Sequence, residues 1–130
     1  MISIGLRNEL RKPDNAGNTL PYTWQTWYEQ VIPVANAVNK ANPNILVFLS
    51  GLDYDTKMSP IAGGDDLGGG HKFLLTDFKY KDKLVLELHN YQKSATKCSD
   101  IENNLWNNGF RATGTKAINI SKRVPYTNCM

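Results

Sequence analysis

The sequence has few cysteines and histidines, which limits the metal and disulfide chemistry that it can hold. It contains two of each, namely Cys98, Cys129, His71 and His89. These residues lack the paired ligand spacing that is typical of structural zinc sites, so no zinc site is predicted. The two cysteines allow one disulfide in an oxidising compartment or two free thiols, and the sequence leaves both possibilities open.

The sequence also lacks a long apolar run and any concentrated block of charge. Its longest apolar run, Ile45 to Leu49, has the length of a strand and not the roughly 18 to 20 residues that span a bilayer. No basic leader followed by a long apolar stretch is visible, so we expect no membrane span and no signal peptide in this chain. The 15 basic and 12 acidic residues are spread along the sequence for a net charge of +3, which disfavours nucleic acid as a partner.

What is present is an ordinary globular composition, with 41% hydrophobic and 21% charged residues, arranged as alternating strand and helix patterns. Ile2 to Leu6 predicts a short strand that ends at polar residues. Apolar residues at spacings of three and four then predict one helix from about Tyr22 to Asn42. Pro33 lies inside this pattern, and we expect it to kink the helix or remove a hydrogen bond. Either packing offsets this cost, or the helix is divided into two pieces.

Two further apolar segments predict strands of a parallel sheet. Ile45 to Leu49 is continuously apolar, as expected for a strand that is covered on both faces. In Leu84 to Leu88 the period of two places the leucines on one face and Glu87, His89 and Tyr91 on the other. We expect the leucine face to meet helices and the polar face to point into a barrel.

The segment between these strands, Asp53 to Asp77, has no periodicity and contains a glycine-rich stretch. Its length and composition predict a mobile active-site loop. Ile101 to Asn108 is a candidate for a short helix, and Ala112 to Met130 has no clear pattern. The order strand, helix, strand, long loop, strand, helix favours a parallel α/β architecture.

Several segments, in order, resemble one enzyme family. They are Ile4-Gly5-Leu6-Arg7-Asn8-Glu9-Leu10, Tyr22-Thr23-Trp24-Gln25-Thr26-Trp27-Tyr28, Ala41-Asn42-Pro43, Leu49-Ser50-Gly51-Leu52-Asp53-Tyr54-Asp55-Thr56 and Leu86-Glu87-Leu88-His89-Asn90-Tyr91. Over roughly residues 2 to 111 they resemble glycoside hydrolase family 5, in its fungal-type cellulase branch. A single Asn-Glu pair is weak evidence, but several ordered segments with this spacing are difficult to produce by chance.

The resemblance implies a fold that this chain contains only in part. Members of the family form a (β/α)₈ TIM barrel, which typically needs about 250 residues, whereas this chain has 130. We therefore expect an α/β fold that corresponds to a partial barrel, about strands 4 to 6 with their helices, truncated at both ends. The expected domain is 1–111, and 112–130 is a divergent C-terminal tail.

The resemblance also implies the chemistry of a retaining, endoglucanase-like hydrolase that acts on β-linked polysaccharide without cofactor or metal. Glu9 matches the general acid/base of such an enzyme. Asn8 matches the residue that holds the sugar 2-hydroxyl, while His89 and Tyr91 match residues that bind substrate. Glu87, on the same strand face, either orients His89 or forms a salt bridge in the barrel interior.

Other residues have two interpretations each. Trp24 and Trp27 suit stacking on sugar rings, although their helical spacing favours core packing. Asp53, Tyr54 and Asp55 follow a strand, where they either line a cleft or form a turn.

An alternative hypothesis is that the chain is a catalytically inactive truncated fragment. The family's nucleophile is a glutamate in a Thr-Glu-Phe-Gly-like segment after a Val-Pro approach, and Arg123 to Met130 contains Val-Pro without a glutamate. Such a fragment would bind glycan weakly or not fold stably. A third hypothesis, an unrelated small α/β binding module, requires the matched segments to be coincidence. The resemblance further implies a secreted protein, and it suggests no protein partner.

Overall fold

The computed structural model describes residues 2–10 and 22–89, together with residues 91, 94, 96, 97, 99 and 100. This part of the chain forms three strands, two α-helices and two 3₁₀ turns. In chain order these are β1 (Ser3–Gly5), α1 (Trp24–Ala41), β2 (Leu46–Ser50), α2 (Ser59–Gly63), the 3₁₀ turns Leu75–Asp77 and Lys81–Lys83, and β3 (Leu84–Glu87). The predicted helix at 101–108, the tail at 112–130 and both cysteines lie outside the described residues.

The three strands form one parallel sheet in the order β1-β2-β3. Ser3 is opposite Leu46 in the first pairing, and Phe48 is opposite Val85 in the second. Since α1 connects β1 to β2, the predicted parallel α/β arrangement is confirmed. The arrangement is compatible with part of a (β/α)₈ barrel, but the described strands do not close into one.

The amphipathic pattern of α1 explains how the helix packs. Thr23 caps its N-terminus, because the Thr23 hydroxyl oxygen accepts a hydrogen bond from the Thr26 N–H at 3.1 Å. Trp27, Val31 and Ala35 recur every four residues and are buried against the sheet. The helix continues through Pro33 as one element, so of the two alternatives the division into two pieces does not occur. Pro33 is exposed, and the buried residues around it keep the helix on the core.

The segment from Asp53 to Asp77 is not the mobile loop that its composition predicted. It contains α2, and the side chains of Met58, Ile61 and Phe73 are buried in the core. Glycines at positions 63–64 and 68–70 lie between Ile61 and Phe73, so the segment buries its side chains without a repeating pattern. The prediction was therefore wrong, because the loss of periodicity reflects irregular turns and not a lack of packing.

The faces of β3 agree with the alternation in its sequence. Leu84, Leu86 and Leu88 pack against the buried cluster that α1 and β2 build. Trp27 belongs to that cluster with 3% of its surface exposed, which confirms core packing for this tryptophan. Trp24 is partly buried and packs against the cluster. Within the described ranges, no helix combines the length and apolar character that a membrane crossing requires.

Candidate functional site

The candidate site lies where the three parallel strands end. Parallel strands present their carboxyl ends at the same edge of a sheet, and that edge carries the active sites of βα barrels. Glu9 follows β1, Asp55 follows β2 and His89 follows β3. The fold therefore brings together residues that are far apart in sequence.

His89 is the centre of the hydrogen-bond network at this edge. Its Nδ1 lies 3.2 Å from Glu9 Oε1 and 3.1 Å from the Tyr91 hydroxyl oxygen. Its Nε2 lies 3.3 Å from Glu87 Oε1, so both ring nitrogens face protein acceptors. Three of the predicted site residues, Glu9, His89 and Tyr91, are thus in one network, and Glu87 contacts His89 as its position on the strand face suggested.

Asn8, the remaining predicted site residue, is exposed and directly precedes Glu9. The hydrogen bonds that surround His89 do not include it. The side chain of Asn8 is therefore accessible to a ligand, and its role in holding a sugar hydroxyl stays a prediction.

Asp55 links the ends of the other two strands. Its side chain is fully buried, and its Oδ2 accepts a hydrogen bond from the Glu9 backbone N–H at 2.8 Å. The Asp55 carbonyl oxygen accepts the backbone N–H of His89 at 2.9 Å. The same Oδ2 lies 4.0 Å from His89 Nε2. One residue therefore contacts both Glu9 and His89.

Burial and neighbouring charges shift the pKa of Asp55 and that of His89. Burial raises the pKa of Asp55 above its ordinary value, although the Glu9 amide and the charge of His89 oppose that shift. For His89, burial lowers the pKa, but hydrogen bonds that the ring donates to Glu87 and Glu9 and the charge of Asp55 outweigh it and leave the pKa raised. The network thus favours a protonated imidazole, which donates hydrogen bonds from both nitrogens.

The backbone at the site adopts a conformation that side chains other than glycine seldom take. Glu9 has a φ of 51°, and Asp53, Tyr54 and Asp55 follow one another at 51°, 58° and 61°. Such left-handed residues cost of order 1–3 kcal/mol each and persist where surrounding contacts hold them.

Hydrogen bonds between the two loops provide those contacts. The Ser50 hydroxyl donates to the Arg7 carbonyl oxygen at 2.7 Å, and the Tyr54 N–H donates to the Leu10 carbonyl oxygen at 2.9 Å. The Tyr22 hydroxyl also donates to Leu10, at 2.9 Å. The described residues on either side of Glu9 are therefore held by the end of β2, by the turn after it and by Tyr22.

Sequence reasoning did not identify the role of Asp55. The alternatives for Asp53, Tyr54 and Asp55 were a cleft lining or a turn, and the structure shows a turn in which Asp53 also lines an open pocket. Asp55 is buried, so it does not line a cleft, while Asp53 forms a salt bridge with Lys57. The available signal was an acidic residue just beyond the end of an apolar strand, but nothing in the sequence distinguished Asp55 from Asp53.

A separate open pocket of about 440 Å³ is lined in part by this turn. Its lining includes Tyr22, Trp24, Asp53 and Lys57, and it does not include the residues that contact His89. The concave surface and the titratable network are therefore different places. We assign the candidate chemistry to the network, because its carboxylates and imidazole are in direct contact.

A metal ion would need several ligands from one cluster. In the part of the chain that the structure describes, no group of three or more histidine, cysteine or acidic side chains is arranged to hold a metal ion.

Comparison with known proteins gives one informative match. Over 91 residues the chain is 33% identical to a protein of Chamaecyparis obtusa that is named glycosyl hydrolase 5 family protein. The chain is similar to part of that protein. The matched stretch is 70% of this chain but only 13% of the relative, so the chain corresponds to a small part of the relative's length. No protein-family model matches the sequence, and no solved structure matches it.

Proposed function

We propose that this chain forms part of a glycoside hydrolase of family 5 that cleaves β-linked polysaccharide with retention of configuration. The observation that carries the proposal is the Glu9–His89–Tyr91 network at the carboxyl ends of parallel strands. The similarity to the relative from Chamaecyparis obtusa supports the same conclusion. A cellulase-like activity and secretion, which the family resemblance implies, belong to this proposal.

In the proposed reaction Glu9 acts first as an acid and then as a base. Its carboxyl proton moves to the glycosidic oxygen while a second carboxylate attacks the anomeric carbon and the bond to the leaving sugar breaks. Glu9 then takes a proton from the water that releases the glycosyl group. His89 and Tyr91 orient the substrate and Glu9, and Asn8 holds the sugar 2-hydroxyl.

The second carboxylate does not come from the residues around His89. Asp55 is fully buried, so it cannot reach a sugar. Glu87 contacts His89 Nε2 whereas Glu9 contacts Nδ1, so the imidazole ring lies between the two glutamates. A retaining pair needs two carboxylates about 5 to 5.5 Å apart across the substrate.

This arrangement favours a second candidate function, the binding of β-linked glycan without cleavage by this chain alone. In that case His89, Tyr91 and Asn8 contact sugar hydroxyls, and Glu9 supplies a hydrogen-bond acceptor. The two candidates share a ligand and differ in whether a glycosidic bond breaks.

The deciding experiment measures reducing ends released from soluble β-glucan by the full chain and by Glu9→Gln. Glu29→Gln is the matched control, because Glu29 is an exposed glutamate on α1 that contacts Gln25 and His71. If the chain is a hydrolase, Glu9→Gln lowers the rate by about 10² or more, and Glu29→Gln has the activity of the unmodified chain.

The same preparation is then tested for saturable binding of the glucan. Binding without release of reducing ends supports the second candidate. Cleavage that survives Glu9→Gln rejects the role of Glu9, and the absence of both cleavage and binding rejects both candidates.

A further inference from the structure

We propose that Asp55 is a positioning residue, which holds the backbones of Glu9 and His89 in place without touching substrate. This inference rests on the proposed function, because it assigns a role within the same site.

The first argument is the geometry of the two hydrogen bonds. The Asp55 carboxylate holds the Glu9 N–H, and the Asp55 carbonyl oxygen holds the His89 N–H. Glu9 precedes Asp55 by 46 positions, so no local turn provides this contact. Because one residue bonds both backbones, a displacement of Asp55 changes the distance between the Glu9 carboxylate and the imidazole.

The second argument is the conformation of Glu9. Its φ of 51° is unfavourable for a residue with a side chain, so Glu9 needs a fixed acceptor to hold its N–H in place. A carboxylate is a strong acceptor for a backbone N–H. The hydrogen bond to Asp55 supplies that restraint at the residue whose carboxylate faces His89.

The third argument is charge. The acidic groups that face the His89 ring are Glu9, Glu87 and Asp55, and the Tyr91 hydroxyl completes its surroundings. The Glu9 and Glu87 side chains are 29% and 36% exposed, whereas that of Asp55 is fully buried. Water screens a buried charge least, so the carboxylate of Asp55 favours the imidazolium even from 4.0 Å.

The test uses nuclear magnetic resonance on the full chain and needs no glycan. Asp55→Asn keeps an acceptor for the Glu9 N–H and removes the charge. We expect it to lower the pKa of His89 by about one unit and to shift the Glu9 amide signal. Asp53→Asn is the matched control, because Asp53 has the same left-handed conformation in the same turn but pairs with Lys57 and Tyr22. Asp53→Asn should change neither the pKa of His89 nor the Glu9 amide signal.

A measurement on the unmodified chain covers the possibility that Asp55→Asn does not fold. There the Glu9 amide proton should titrate together with the Asp55 side-chain carboxyl carbon. Independent titration of the two groups overturns the proposal. So does a folded Asp55→Asn chain in which the pKa of His89 and the Glu9 amide signal are unchanged.

Activity separates this inference from the proposed function. If the chain cleaves β-glucan, Asp55→Asn should lower kcat by about tenfold or more, with KM nearly unchanged, since Asp55 does not contact substrate. If the chain cleaves nothing but the magnetic resonance shifts occur, the proposed function fails and the positioning role of Asp55 stands.

Discussion

At the scale of single residues, Trp27 connects the helix layer to the site. Its indole N–H donates to the Ser50 carbonyl oxygen at 2.7 Å, and its ring packs edge-on against Trp24 and Phe73. Ser50 in turn holds the carbonyl oxygen of Arg7, two residues before Glu9. A tryptophan whose spacing suggested only core packing therefore also satisfies a buried carbonyl group at the end of β2.

Trp27→Phe should destabilise the fold by about 1–3 kcal/mol, because it leaves the Ser50 carbonyl oxygen without its indole donor and removes buried volume. Urea denaturation of the unmodified chain and of Trp27→Phe measures this difference in the free energy of unfolding. Trp24→Phe is the control, since Trp24 is only partly buried, and it should cost less. Equal losses in the two variants would show that the hydrogen bond to Ser50 contributes nothing.

The sequence predicted some site residues and not others for a physical reason. The period of two predicted that Glu87, His89 and Tyr91 face the same way, and the contacts of His89 with Glu87 and Tyr91 agree with it although β3 ends at Glu87. Glu9 was identified by resemblance, because local pattern alone does not separate it from a turn residue. Asp55 escaped prediction because its role depends on hydrogen bonds to two distant backbones, which no local pattern encodes.

At the scale of elements, the turn after β2 determines where Asp55 lies. Leu52 and Lys57 exchange backbone hydrogen bonds at 3.3 Å in each direction, which closes the turn. Gly51 lies directly against this closure, and a Cβ atom added to it would collide with the Lys57 carbonyl oxygen and press on the Met58 sulfur. The tight turn therefore depends on the missing side chain at Gly51.

Gly51→Ala should destabilise the chain by about 1–3 kcal/mol, because backbone atoms of Lys57 must move to admit the methyl group. Gly5→Ala, at the end of β1, is the matched control, since no atom lies within 4 Å of its added Cβ. Thermal unfolding followed by circular dichroism compares them. The prediction is wrong if Gly51→Ala unfolds at the same temperature as Gly5→Ala.

Two of the elements that the sequence predicted, α1 and β3, have a regular period. α1 and β3 each repeat apolar residues at the spacing of their type, so packing and pattern agree. Pro33 did not divide α1, because it faces solvent while Trp27, Val31 and Ala35 hold the helix on the sheet. Irregular turns concealed the core residues of the segment after β2, since they bury side chains without any period.

At the scale of the whole molecule, the raised pKa values of His89 and Asp55 make stability depend on pH. Both groups bind a proton more tightly in the folded chain than in the unfolded chain. By linkage, the folded state then loses stability as pH rises. For His89 the contribution is complete below its unfolded pKa of about 6.5, and it disappears as pH rises through the higher folded pKa.

The free energy of unfolding should therefore fall between about pH 6.5 and the folded pKa of His89. His89→Gln removes the titrating ring and should flatten this part of the profile. Urea denaturation at several pH values measures both curves. A profile of the same slope in both chains would mean that the His89 network does not favour the protonated ring.

The parallel α/β arrangement of the whole was predictable, and closure of a barrel was not. Alternating strand and helix patterns determine that neighbouring strands are parallel, because a helix must carry the chain back. Closure depends on which strands pair with the outer edges of β1 and β3, and strand periodicity carries no information about those partners.

The bridge made by Asp55 also sets an order of events during synthesis. Glu9 leaves the ribosome first, but its N–H has no carboxylate to bind until Asp55 follows, and the imidazole is attached only after His89 has emerged. At about 5–20 residues per second the growing chain spends several seconds between the first and last of these steps. The two restraints on the site therefore form one after the other, that on Glu9 before that on His89.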